Sequence, residues 1–213
     1  MVLKLAEFPT AEAFLPERIT LPALKKAVQG CRGCPLYKNA TQAVFGEGPQ
    51  QARIMFIGEQ PGDQEDLAGK PFVGPAGKIL DKTLEEVGIE RGDVYVTNAV
   101  KHFKFEPRGK RRIHSKPSTR EMAACKPWLT AEIGAVKPKM VVALGATAAQ
   151  DLFGKDFKIT RERGKIFEDT QIAPMVMATI HPSAILRMPD HEARERARRE
   201  FREDLEKVAR RLR

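Results

Sequence analysis

Four groups of side chains in the 213-residue sequence have the types and spacing to do chemistry. The first is the stretch GEQPGDQEDLAGKPFVGPAG, directly after the apolar run at residues 54–57. It sets four carboxylates (Glu59, Asp63, Glu65, Asp66) among Gly58, Gly62, Gly69, Gly74 and three prolines. Loops this long in a compact domain are functional or disordered, and the aromatic Phe72 argues against disorder. There is no GxGxxG and no GK[ST], so a nucleotide-phosphate cradle is a poor fit. The second group is a set of polar residues at the ends of apolar runs: Glu59 and Gln60 after the first, Asn98 after 94–97, His181 after 175–180. Each alone has an ordinary explanation, a helix cap or a hydrogen-bonded loop histidine. Together, at one edge of a sheet, they read as one site.

The third group is KHFKFEPRGKRRIHSK, residues 101–116, with seven basic residues and one acidic residue. These basic residues, Lys110, Arg111 and Arg112 among them, share the run with Phe103 and Phe105, and basic charge with aromatics suits a nucleic-acid backbone better than a plain solvated loop. His114 lies in this run, and its cationic neighbours favour the neutral imidazole. A neutral imidazole is a nucleophile or a base; an imidazolium is neither. The fourth group is Cys31-x-x-Cys34, with Cys125 on a helical pattern far downstream and His102 as a candidate fourth ligand. A redox CxxC follows a strand, whereas this one follows a helical pattern, so metal binding is favoured. Cys3His suits zinc or an iron–sulfur cluster; spacing alone leaves both open, and three unrelated thiols as well.

The elements that must position these groups follow from periodicity. Residues 1–20 read as a loosely packed leader. Residues 21–29 form a short helix capped by Thr20, with Pro22 in its first turn and Gly30 ending it. Buried strands are expected at 54–57, 94–97, 140–144 and 175–180. Helices are expected from Ala76 to near Gly88 and over 119–136, 146–153 and 192–213. The last carries an apolar stripe of Ala197, Phe201, Leu205, Val208 and Leu212, and its arginines are by default a solvated face. Strands alternating with helices give an α/β fold, a parallel sheet with helices on both faces.

Length predicts one domain over residues 1–213, with the final helix, 190–213, packed on it. The net charge of +9 and pI near 9.6 suit a polyanionic partner. No apolar run is long enough for a bilayer, and no secretory signal is visible. Three cysteines are an odd count for a disulfide framework, so a reducing cytoplasm is expected.

The motifs GEQPG (58–62), PFVGPAG (71–77), VTNAVKHFKF (96–105), KRRIHS (110–115) and HPS (181–183) carry a resemblance. The chain resembles the iron–sulfur branch of the uracil-DNA glycosylase superfamily, families 4 and 5, and within it the UdgX type. The branch usually has a cysteine where this chain has His102, and the insertion ending KRRIHS marks the UdgX type. The resemblance implies a three-layer α/β/α sandwich around a four-stranded parallel sheet. It implies a structural [4Fe–4S] cluster on Cys31, Cys34, Cys125 and His102, zinc being the alternative. It implies a flipped-base pocket and a covalent bond from His114 to DNA. In that scheme Asn98 reads uracil, Phe72 lies on the base, and Asp63 and Ser183 complete the substrate contacts. His181 steadies the leaving base, and Glu59 and Gln60 hold the reacting groups. Lys110, Arg111, Arg112 and Arg187 hold phosphates, and Ile185 and Leu186 wedge into the duplex. The expected partner is uracil-containing DNA, single strands favoured, met by a monomer in a bacterial cytoplasm without an obligate protein partner. The alternatives are a multiple-turnover glycosylase of the same fold and a metal-bearing nucleic-acid binder with no chemistry.

Overall fold

The structure, a computed structural model, describes residues 9–212. It opens with a 3-10 turn at Ala11–Phe14, α1 (Leu21–Ala27) and two further short 3-10 turns, before β1 (Ile54–Gly58). Thr20 caps α1 through the Ala23 N–H, as its position predicts. Ala11 is buried and its turn packs on a later helix, so this part of the supposed loose leader is docked; residues 1–8 lie outside the described residues.

The loop after β1 is not continuous coil. It contains a short helix, α2 (Asp63–Ala68), before α3 (Pro75–Glu86), which starts with Pro75 behind a glycine N-cap. Next comes β2 (Val94–Asn98). The basic run folds as a hairpin, β3 (Phe105–Arg108) and β4 (Arg111–His114), turning at Gly109, whose φ of 59° suits a two-residue hairpin loop. Helix α4 (Thr119–Val136) is entered through a Ser118–Glu121 capping box. After it come β5 (Met140–Leu144), α5 (Ala146–Phe153), α6 (Ile159–Glu162), β6 (Ile166–Glu168), β7 (Met175–Thr179), α7 (Pro182–Leu186) and α8 (His191–Leu212). Arg213, assigned to the last helix from its sequence, lies outside the described residues.

The main sheet has the order β2-β1-β5-β7-β6. The four strands expected from sequence are its parallel part. The expected count of four is corrected to five by β6, which pairs antiparallel with β7 at the edge. Alternation along the strands sorts the core into layers. Phe56, Val94, Val142 and Met177 face α3, α7 and α8, where Leu80, Ile185, Phe201 and Leu205 meet them. Met55, Tyr95, Val141 and Val176 face the other way, onto Leu129 of α4 and Ala148 and Ala149 of α5. This is the three-layer sandwich. A third cluster joins Leu24, Leu36, Phe45 and the cysteines to Trp128 of α4. Among the described residues no helix is long and apolar enough to cross a membrane.

Candidate active site

The connections from β1 and β5 leave the sheet in opposite directions, so a crevice opens beyond their carboxyl ends, where open α/β sheets bind ligands. A cavity of about 540 Å³ lies there. Glu59, Gln60, Phe72, Asn98, His114 and His181 line it, with Ser183 and Arg187 at the α7 side. The sequence-predicted set therefore converges, with exceptions given below.

Its floor is set by backbone. Gly58 pairs with Asn98 across the β1–β2 edge, and the Asn98 side chain occupies the space a β-carbon on Gly58 would need. Phe72 adopts a left-handed φ of 57°, uncommon for an aromatic residue. The close approach of Gly77 to the Phe72 carbonyl, where any side chain would collide, allows that turn to pack on α3. The loop is closed by Glu65, whose carboxylate accepts the N–H of Gly62 at 3.0 Å and of Gly74 at 2.8 Å. The Phe72 ring then stacks at 6.0 Å from the His181 ring, 27° between planes.

His181 caps α7. Its Nδ1 accepts the Ser183 N–H at 3.1 Å and lies 2.8 Å from Ser183 Oγ, which accepts from Arg187 Nη1 at 3.1 Å. An Nδ1 that accepts a backbone N–H carries no proton, so this network assigns the ring proton to Nε2. Burial, then the charges of Arg187 and His114, push its pKa down to about 4, so the ring is neutral at pH 7.

The opposite wall is the hairpin. Gln60 pins its base: Nε2 donates to the carbonyls of Lys104 (3.2 Å) and Ser115 (3.0 Å), and Oε1 accepts the Lys104 N–H at 3.0 Å. Both ends of the Gln60 amide are thus spent on backbone, and its side chain holds the hairpin that carries His114. The hairpin carries His114 to the rim, exposed, with Nε2 3.4 Å from Glu59 Oε1 and its ring 6.2 Å from that of Phe103.

Three further assignments change. Arg112 is engaged within the protein: Nε meets Asp63 Oδ1 at 2.5 Å, Nη1 meets Asp66 Oδ2 at 2.6 Å, and the guanidinium lies over Phe103 and Phe105 at 5.5 and 5.1 Å. Asp63 is consequently the arginine's partner and not a cavity residue. Ile185 is fully buried in the core and cannot act as a wedge, whereas Leu186 is exposed. Lys110, Arg111 and Arg187 are exposed, as phosphate contacts require. Sequence reading missed the structural duties of Glu65 and Asp66. Glu65 stands three residues after Gly62, the capping-box interval, which was the available signal.

Cys31, Cys34 and Cys125 are buried in one cluster. N–H groups point at two of the sulfurs: Trp128 Nε1 at 3.2 Å and Gly33 N at 3.5 Å from Cys31, and Lys101 N at 3.3 Å from Cys125. Burial pushes the Cys125 thiol up to about 12. His102 is buried, and burial, against an opposing pull from Asp66, lowers its pKa to about 4, leaving a neutral imidazole. Among the described residues no three His, Cys, Asp or Glu side chains are grouped as a single metal ion requires.

The chain is similar to the type-4 uracil-DNA glycosylase of Thermotoga maritima, 42% identical over 87% of this chain and 91% of the relative. It is similar to that of Pyrobaculum aerophilum at 38%, over 87% and 91%. A type-5 uracil-DNA glycosylase from Pyrobaculum aerophilum is 30% identical over 65% of this chain and 64% of its own length. The profile of the uracil DNA glycosylase superfamily matches residues 45–206. That span holds every residue lining the cavity, from the strand that delivers Glu59 to the short helix capped by His181, and the chain belongs to the uracil-DNA glycosylase superfamily.

Proposed function

We propose that this protein excises uracil from DNA and that His114 then captures the sugar. The observation carrying the reading is one cavity shared by an amide (Asn98), a neutral imidazole (His181) and an imidazole–carboxylate pair (His114 and Glu59). A base must leave the stack to enter it. A base in a single strand has no partner to give up, so single-stranded DNA is the favoured substrate. Asn98 offers one acceptor and one donor, matching N3–H and O4 of uracil. Cytosine presents the reverse pattern, which a buried site penalises. Phe72 supplies the stacking face.

Cleavage breaks the C1′–N1 bond, and its electron pair leaves on the base. A neutral His181 donates Nε2–H to the charge growing on O2, assistance worth roughly 3 kcal/mol. The cationic sugar that remains resembles that of glycoside hydrolysis, and the Glu59 carboxylate steadies it. A ring nitrogen of His114 bonds to C1′, and the proton from its other nitrogen passes to Glu59. The product is an N-alkyl imidazole, a poor leaving group, so the reaction stops after one turnover.

The type-4 relatives support a second reading, in which water takes the place of His114 and turnover continues. Intact mass spectrometry after mixing with uracil-containing single-stranded DNA separates them. The capture reading expects a mass equal to protein plus abasic strand, and free abasic product from His114→Ala. Wild type without an adduct and with continued release establishes the second reading; loss of excision in His114→Ala gives that residue a role in cleavage itself.

Buried thiols met by N–H donors support a sulfur-ligated group. Cys31, Cys34, Cys125 and His102 would hold a [4Fe–4S] cluster, which when bound crosslinks the segment before β1 to α4. A brown protein with visible absorbance supports it; a colourless zinc protein does not.

A further inference from the structure

A fully buried ion pair lies behind the cavity wall, and none of the steps above uses it. Lys101 and Glu132 both have side chains with 0% exposure. Lys101 Nζ donates to Glu132 Oε2, to Thr97 Oγ1 at 2.7 Å and to the main-chain carbonyl of Asn98 at 2.7 Å. Glu132 in turn accepts from Tyr95 Oη at 2.9 Å, the Gly46 N–H at 3.0 Å and Thr97 Oγ1. The main-chain N–H of Lys101 reaches Cys125 Sγ at 3.3 Å. All three ammonium donors are therefore used.

A pair of this kind is a poor source of stability, because apolar residues of similar volume do as well or better. What it does fix is geometry. Two of the three acceptors, Thr97 and Asn98, are consecutive residues at the end of β2. The third, Glu132, is held by α4 and by Tyr95 of the same strand, so the grip is anchored to the sheet and to a helix. Fixing the Asn98 carbonyl fixes the peptide plane from which its amide reaches the cavity, and sub-ångström placement of such a group decides how well it reads a base.

We propose that Lys101, braced by Glu132, is a positioning residue for base recognition, acting through Asn98. The proposal rests on the reading of Asn98 as the group that pairs with uracil. The test is a double-mutant cycle. Lys101→Met/Glu132→Gln removes both charges while leaving Oε1 of residue 132 to serve Tyr95 and Gly46. Thr97→Val is a milder variant that removes one acceptor and keeps both charges. Each is made with Asn98 intact and with Asn98→Ala, and fold is checked by cooperative melting.

The expected result is a fall of about thirtyfold in single-turnover excision for the charge-free pair, and a smaller fall for Thr97→Val. Discrimination against cytosine falls with it, while affinity for uracil-free DNA stays within twofold of wild type. In the Asn98→Ala background both changes cost less than threefold. Costs that persist in full in that background overturn the proposal while sparing the reading of Asn98. A wild-type rate for Asn98→Ala overturns both. If the charge-free pair does not fold, Thr97→Val alone decides, by the same comparison.

Discussion

A β-carbon on Gly58 would collide with Oδ1 of Asn98, and its next neighbour, the Phe72 ring, would lie 2.9 Å away. The two residues pair across adjacent strands, so the backbone cannot open to relieve the clash and a side chain must give way. Gly58→Ala should therefore displace the amide or the ring. Overpacking of this kind costs about 1–3 kcal/mol of stability, and a 1 Å misplacement costs about a hundredfold in rate. Single-turnover excision should fall by about that factor, with affinity for uracil-free DNA retained. An unchanged rate would mean that Asn98 and Phe72 do not contact the base.

Gln60 connects the end of β1 to the hairpin that carries His114. Gln60→Ala leaves the Lys104 and Ser115 carbonyls without this donor and frees the hairpin base. Adduct formation should drop by about tenfold, whereas base release, which depends on Asn98 and His181, should change less. A denaturing gel reads both, from the crosslinked band and from alkali-cleaved abasic strand. Equal losses would assign Gln60 to the cleavage step.

The parallel strands were legible because each is a short apolar run ended by glycine or a polar residue, and that same punctuation exposed Asn98 and His181. The hairpin was not, because neither of its strands alternates: Arg111, Ile113 and His114 are all exposed on β4. Helix α2 has six residues, too few to establish a period, and its glycine caps resemble loop residues. Strand β6 has three residues and owes its place to β7 alone. Arg112 shows the limit for charges. In sequence it is one of several cations in a basic run, and only the fold brings Asp63 and Asp66 to it. Lys101 is the extreme case, since nothing in a basic stretch marks one lysine as fully buried.

That distinction among cations is measurable through salt. Lys110 is exposed at the hairpin turn, while Arg112 is committed to two carboxylates. Lys110→Ala should lower the slope of log affinity against log salt by about 1, the release of one counterion. Arg112→Ala should leave that slope unchanged. It should instead destabilise the fold by about 1–3 kcal/mol, because the fully buried Asp66 carboxylate loses a charged partner. Arg112→Lys should not restore stability, since one ammonium cannot span both acids. Salt titrations and thermal melts check the two arms; a reduced slope for Arg112→Ala would return that residue to the DNA contact surface.

The pH dependence of excision follows from His181. Its pKa is lowered from 6.5 to about 4, first by burial and then by the charges of Arg187 and His114. A lowered value means the fold favours the neutral ring. The resulting stabilisation is present above 6.5 and is lost as pH falls from there through about 4. As far as His181 is concerned, excision should hold from pH 7 to about 5 and fall as the pH drops through about 4, because an imidazolium cannot keep Nδ1 as the acceptor for Ser183. Arg187→Ala removes one charge that opposes protonation, so the acid inflection should move upward. Burial, the larger cause, should keep it below 6.5. Single-turnover rates across pH 3.5–7 on a short uracil-containing oligonucleotide, with NMR titration of the His181 ring protons, separate this from acid unfolding. An inflection near 6.5 in wild type would mean that His181 is solvated in the working enzyme and that another group meets O2.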